Sequence, residues 1–178
     1  MIPFIETERL YLYPVTAAHC TDTYLAWLHD KEITRFLETG MFPTSQTQLL
    51  DFVNATQQKQ CLFLAAVTKD SGKHIGNIKV DSINRIHGTA EYGILMGDKT
   101  EWGKGYAREG SVAMFDHCFK RMNIRKITLG VIVDNTSAVQ LYYKMGFAIE
   151  GTYLRHCFYD GEYRDLHRIA LFAPESNK

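Results

Sequence analysis

Glu101-Trp102-Gly103-Lys104-Gly105-Tyr106-Ala107-Arg108-Glu109 is the stretch on which the reading of this 178-residue chain turns. A strand-like segment, Thr89 to Gly97, precedes it, and a helical pattern follows at once. That pattern sets Val112, Phe115, Phe119 and Met122 on one face, three and four residues apart. Gly103 and Gly105 lack a Cβ, so a ligand can approach the backbone there and a positive φ costs little. Free N–H groups at a helix N-terminus, with the helix dipole behind them, attract anions. The residues alone therefore point to a phosphate-bearing ligand on the amides of Gly103 to Arg108. Two other phosphate loops are excluded. A P-loop needs Lys-Ser/Thr after its last glycine, where Tyr106 stands. A dinucleotide fingerprint needs Gly or Ala three residues after Gly105, where Arg108 stands.

Composition narrows the class. Twenty basic and twenty acidic residues cancel, and no block of like charge appears, so neither nucleic acid nor a membrane surface is an expected partner. The opening residues hold no apolar run of the length a signal peptide or span requires, so the expected location is cytoplasmic. Four cysteines, at 20, 61, 118 and 157, form no Cys-x-x-Cys pair, and the histidines show no ligand spacing. No metal is expected, and Cys118 reads as a small buried thiol. The length suits one domain with a sizeable core.

In chain order, Glu6 to Val15 reads as a first strand. Thr16 is placed to cap a helix carrying Tyr24, Leu25, Trp27 and Leu28. Asp30 to Leu37 predicts a short helix, and Thr44 or Ser45 caps another bearing Leu49, Leu50 and Val53. Trp27 and Phe36 are either pocket-lining or core aromatics. Leu62–Thr68 and Lys73–Val80 pair as a hairpin around Asp70-Ser-Gly-Lys. Gly93 sits oddly inside the next strand and suggests a bulge that would splay it from its neighbour. Lys126 to Val133 alternates strictly. Asn135 then caps a helix with Ala138, Leu141, Tyr142 and Met145 on one face, and Gly146 ends it. Glu150–Tyr159 and Tyr163–Phe172 form a terminal hairpin around Asp160-Gly161.

Two strings carry a resemblance. Trp102-Gly-Lys-Gly-Tyr-Ala107 is similar to the acetyl-CoA pyrophosphate loop of the GNAT superfamily of N-acetyltransferases, with Trp102 in place of the usual Gln or Arg. Asn135-x-x-Ala-x-x-Leu-Tyr-x-x-x-Gly-Phe147 resembles a second GNAT signature, and Thr7-Glu-Arg-Leu-Tyr-Leu resembles the opening of the RimJ/RimL-like branch. The resemblance implies an α+β GNAT fold: a mixed, mostly antiparallel sheet split by a bulged central strand, with helices on both faces, as a single acetyltransferase domain over residues 1–178. It implies acetyl-CoA as co-substrate, held by Gly103, Lys104, Gly105, Tyr106, Ala107 and Arg108, with Leu95, Met96 and Gly97 along its pantetheine arm.

The implied reaction moves an acetyl group from the thioester directly to an amine. An amine of pKa about 10.4 is neutral in roughly one molecule in two thousand at pH 7, which costs about 4.6 kcal/mol; an α-amine of pKa about 7.7–8.0 costs only ~1 kcal/mol. A general base is therefore useful. Glu91 is the candidate base, or else an ion-pair partner; Asp81 and His74 are further candidates. Some relatives carry a catalytic Glu where this chain has Gly130. Tyr142 matches the family tyrosine that protonates the leaving thiolate, or else is a core aromatic. Asn135 hydrogen-bonds the cofactor, or only caps its helix. A backbone N–H near Leu95 would polarise the acetyl carbonyl. The expected acceptor is a protein N-terminal α-amine or a small amine, with a nucleotide-linked amino sugar as an alternative. A non-catalytic acyl-CoA-binding module stands as a different class. The terminal hairpin offers an edge through which two copies would pair as a homodimer.

Overall fold

The computed structural model describes residues 2–174. The chain opens with β1 (Ile5–Glu6) and β2 (Leu10–Pro14), not one continuous strand. Thr7 breaks it: its N–H donates to the Leu10 carbonyl and its hydroxyl accepts the Leu10 N–H, both at 2.9 Å. Leu10 and Leu12 are wholly buried, as their alternation requires. Thr16 heads only a single 3₁₀ turn, Ala17–His19, and Thr21 caps α1 (Asp22–His29) by accepting the Tyr24 N–H. Ser45 heads α2 (Gln46–Gln57) through a reciprocal capping box with Gln48.

The helix expected over Asp30–Leu37 does not form. The Asp30 carboxylate accepts the N–H groups of Glu32 and Ile33, and the segment runs as successive turns to Gly40, at φ +101°. A short acceptor side chain at the head of a segment competes in this way with helix propagation.

β3 (Leu62–Thr68) and β4 (His74–Asn84) form the expected hairpin, and β4 continues four residues past the expected end at Val80. Then follow β5 (Thr89–Met96), a 3₁₀ turn at Lys99–Glu101, α3 (Tyr106–Arg121), β6 (Lys126–Ile132), α4 (Thr136–Lys144), β7 (Ala148–Tyr159) and β8 (Glu162–Phe172). The eight strands make one mixed sheet in the order β1-β2-β3-β4-β5-β6-β8-β7. β5 and β6 are parallel, joined by the crossover through α3. Their register runs from Thr89↔Lys126 to Glu91↔Thr128 and stops two residues short of Gly93. Asp160 and Gly161 turn β7 into β8 with both φ angles positive, the primed geometry that suits a two-residue hairpin.

The residues gather into two compact units, one built from the chain through Asp81 with Gly93–Met114, the other from Ser82–Tyr92 with Phe115 onward. The first has a core of Val15, Tyr24, Trp27, Leu28, Leu49 and Val53. In the second, Phe115 meets Tyr92 and Phe147 edge-on at 4.9 and 5.6 Å, and Tyr142 leans on Phe147 at 5.7 Å. One expectation for α3 is corrected. Val112 is exposed, and the buried stripe is Ser111, Met114, Phe115 and Cys118. Gly110 fits this face because a Cβ there would press on Ile78.

Candidate functional site

In the first unit, Gly103 and Gly105 both adopt left-handed backbone, at φ +76° and +87°. This is the conformation for which glycine is the natural choice. Among the described residues, the N–H groups of Gly103, Lys104, Gly105, Tyr106, Ala107 and Arg108 meet no protein acceptor; the first N–H committed to the helix is that of Glu109, to the Gly105 carbonyl. A Cβ on Gly103 would meet nothing within 4 Å, so the loop surface is open there. Six consecutive donors, three before and three in the first turn of a sixteen-residue helix, suit a diphosphate.

What holds this loop was not foreseen. Glu109 accepts from the Thr7 hydroxyl at 2.6 Å, the Arg9 N–H at 2.8 Å and the Arg9 guanidinium at 2.6 Å. Arg9 reaches on to the Lys104 carbonyl at 3.0 Å and lies 4.5 Å over the Tyr106 ring. Burial alone would raise the Glu109 carboxyl, but the Thr7 and Arg9 hydrogen bonds and the Arg9 charge outweigh it and hold the group below its ordinary value. The string Thr7-Glu-Arg-Leu thus acts as a brace, with Lys104 paired to Glu101 at 2.8 Å beside it.

Trp102 also has a task. Its indole N–H donates to the Met96 carbonyl at 2.9 Å, tying the loop to the end of β5. Met96 therefore spends its carbonyl inside the protein. Gly97 does the same with its N–H, which donates to Ile75, and a Cβ there would fall inside the Trp27 indole. For Gly97 the packing against Trp27 explains the glycine. Leu95 is half-buried and lines a cavity of about 630 Å³. Gly93 and Ile94 line it too, with α1, α2, β3, β4 and the turns around residues 37–44 supplying the other walls.

Beside this cavity lies a half-buried polar group. His74 Nε2 sits 2.9 Å from the Asn77 side-chain oxygen and 3.1 Å from the Gly76 carbonyl. Its ring meets those of His19, Tyr24 and Trp27 at 5.5, 6.0 and 5.0 Å. Burial lowers the His74 pKa, so the ring is neutral, with Nε2–H donating to oxygen on two sides and the lone pair left on Nδ1. Asp81 is paired with Lys79 at 2.7 Å. Trp27 is a core residue, while Phe36 is half-buried under Arg35.

The second unit holds Tyr142, Asn135 and Glu91. Tyr142 is 7% exposed, and burial pushes its hydroxyl up to about 12, so it stays a neutral donor through the physiological range. Among the described residues no protein acceptor takes that hydroxyl. Helix α4 fixes it. Asn135 Oδ1 accepts the Ala138 N–H at the start, and Phe147 N–H to Tyr142 with Gly146 N–H to Tyr143 close the far end around Gly146, at φ +93°. Asn135 is therefore a cap, its oxygen also taking the Ser137 hydroxyl at 3.2 Å. Glu91 is an ion-pair partner: Arg168 binds both of its oxygens, at 2.7 and 3.0 Å, and Thr128 stands 3.4 Å from one of them. A carboxylate fixed in this fork is poorly placed to collect a proton. Gly130, exposed on β6, supplies no acid.

Residues 9–148 match the family model described as an acetyltransferase (GNAT) domain. The chain belongs to this family. Within GNAT proteins it is 38% identical over 110 residues to the spermidine N(1)-acetyltransferase of Vibrio cholerae, a match covering 61% of this chain and 63% of that protein. It is 31% identical over 109 residues to the Escherichia coli K12 enzyme of the same name, covering 61% and 58%. The matches thus span about three fifths of those relatives. The crystal structure of the V. cholerae spermidine N-acetyltransferase with CoA and spermine superposes with a TM-score of 0.83 at 26% identity, over 92% of this chain and 95% of that one. These relatives support the GNAT level of the sequence reading and lend no support to the RimJ/RimL-like branch. Among the described residues there is no cluster suited to a metal ion and no helix long and apolar enough to cross a membrane.

Proposed function

We propose that this GNAT protein is an acetyl-CoA-dependent N-acetyltransferase acting on a small amine. The observation that carries the reading is the row of six unpartnered N–H groups from Gly103 to Arg108 at the head of α3. The residues fit the co-substrate: the amides and the open face at Gly103 suit its diphosphate, and the end of β5 around Leu95 suits its pantetheine arm. Acetyl-CoA, when bound, supplies an activated acyl group, so no covalent enzyme intermediate is needed.

Within that reading, the Gly103–Arg108 amides bind and orient. Tyr142 holds a proton on Oη that it gives to the departing sulfur, a role its neutral, unpartnered hydroxyl suits. Glu91 positions Arg168 and β6, and is not assigned as base. Similarity to spermidine N(1)-acetyltransferases favours a small-amine acceptor over a protein N-terminus or an amino sugar.

Calorimetric titration with CoA tests the site. Gly103→Glu places a carboxylate over the open loop face and a Cβ on left-handed backbone, and like-charge repulsion with the strained loop should weaken CoA by at least about tenfold. Wild-type protein that fails to bind CoA, or a Gly103→Glu variant that binds it as well as wild type, would overturn the assignment.

A further inference from the structure

The cavity against β5 has a chemistry of its own, and the inference from it rests on the acetyltransferase reading above. Its apolar walls are Leu28, Leu49, Phe52, Phe63, Ile94 and Leu95. Phe52 and Phe63 stand edge to face at 5.8 Å. Of the ionisable groups on the walls, Glu38 is an exposed carboxylate on the turns after α1, and Lys79 carries a positive charge already paired to Asp81. Tyr24 is a buried phenol and Asn77 a buried amide. The lining thus balances one carboxylate against one ammonium.

A polyamine carries about three ammonium groups at neutral pH, because alkyl amines titrate near 10.4. Each ammonium drawn out of water needs a carboxylate or a set of acceptors to meet it. This lining offers one carboxylate, and a lysine whose charge Asp81 already balances. It does offer aromatic edges and branched aliphatic walls, over a volume within the range of small-molecule sites. We infer that the acceptor is a monoamine with an apolar body, such as an arylalkylamine. Its nitrogen meets the Gly93–Leu95 end of β5, and its hydrocarbon part lies against Phe52 and Phe63. Specificity for this class comes from the walls, and Phe52 is a specificity-determining residue.

Initial rates of CoA release test this, measured with 2-phenylethylamine, n-pentylamine and spermidine as acceptors and CoA titration run in parallel. The expected result is a kcat/KM for 2-phenylethylamine at least about tenfold above that for spermidine, the scale on which apolar pockets discriminate. Phe52 is half-exposed on α2, so Phe52→Ala should fold; its thermal midpoint and CoA affinity verify this. That variant should raise KM for 2-phenylethylamine with little change in kcat, and so narrow the kcat/KM ratio between 2-phenylethylamine and spermidine. Spermidine preferred by the wild-type protein overturns the monoamine inference while the acetyltransferase reading stands. CoA bound with none of the three amines acetylated also overturns it. Failure to bind CoA removes both readings together.

Discussion

Replacing Glu109 is the sharpest test of how the loop is held. Its carboxylate accepts from the Thr7 hydroxyl, the Arg9 N–H and the Arg9 guanidinium. Hydrogen bonds to a charged acceptor contribute about 1.5–3 kcal/mol when shielded, and roughly half that where solvent competes. The Arg9 side chain is 43% exposed, so its ion pair is worth only about 0.2–1 kcal/mol. Taking ~1.2 kcal/mol for each of the other two bonds gives about 3 kcal/mol for Glu109→Ala, less a few tenths returned by alanine's helix propensity. For a chain of this size that is a fall of roughly 6–12 °C in thermal midpoint. Glu109→Gln keeps an acceptor for Thr7 and the Arg9 N–H, and should cost about 1 kcal/mol.

The effect should reach the ligand. Without Glu109, Arg9 loses its anchor and the bond from Arg9 to the Lys104 carbonyl loosens, so CoA affinity should drop about tenfold, or ~1.4 kcal/mol. Acid supplies an independent check of sign. The folded-state pKa of Glu109 lies below its unfolded value, so the contribution is complete above the glutamate reference of about 4.3 and is lost as pH falls through the folded value. The stability gap between wild type and Glu109→Gln should hold from pH 7 to 5 and close below about pH 4. Urea melts at several pH values measure the gap, and calorimetry measures CoA. A wild-type urea midpoint for Glu109→Ala, or a weakened fold with undiminished CoA binding, would refute the brace.

Two further substitutions separate chemistry from packing. Tyr142→Phe removes the neutral donor and should lower kcat by about 10²-fold, the lower end of general-acid effects, with CoA affinity within about twofold; full turnover would remove the proposed acid. Gly97→Ala drives a Cβ into the Trp27 indole and should destabilise the first unit by about 1–3 kcal/mol in urea melts; a neutral result would mean Trp27 can swing away freely.

The most legible parts of this chain were those whose local chemistry and tertiary role agree. Gly103, Gly105 and Gly146 need positive φ, and a glycine before or after a helix announces that without any long-range contact. The strict alternation of Ile127, Leu129 and Val131 likewise maps directly onto burial. Illegible were the roles set by partners far along the chain. Glu91 reads equally as a base or an ion-pair partner, and nothing local names Arg168, 77 residues on, as the group that closes over it. Thr7 and Arg9 served only as a branch signature, since nothing local says that Glu109 lies above them. On α3, three-and-four spacing chose Val112 over the small residues Gly110 and Ser111, which are the ones that let the helix seat closely. Asp30–Leu37 failed for a local reason that was readable: an aspartate able to bond its own downstream N–H groups favours a turn as readily as a helix.

With Glu91 held by Arg168 and Asp81 by Lys79, the three side chains first considered as base reduce to a half-buried His74 whose Nε2 faces two oxygens. Where solvent rather than His74 Nδ1 takes the proton, the rate carries the full cost of finding the amine neutral. That cost is about 4.6 kcal/mol at pH 7 for an alkyl amine and ~1 kcal/mol for one of pKa near 8. The logarithm of kcat/KM should therefore rise with unit slope across pH 6 to 9 and level only at the acceptor's own pKa. A series of acceptors of falling pKa should shift the plateau in step. Glu91→Gln should leave the slope and plateau in place, and change stability by under about 1 kcal/mol, since both partners of its ion pair are partly exposed. A plateau fixed near neutrality for every acceptor, and abolished by Glu91→Gln, would mean that Arg168 releases the carboxylate during turnover and that Glu91 is the base after all.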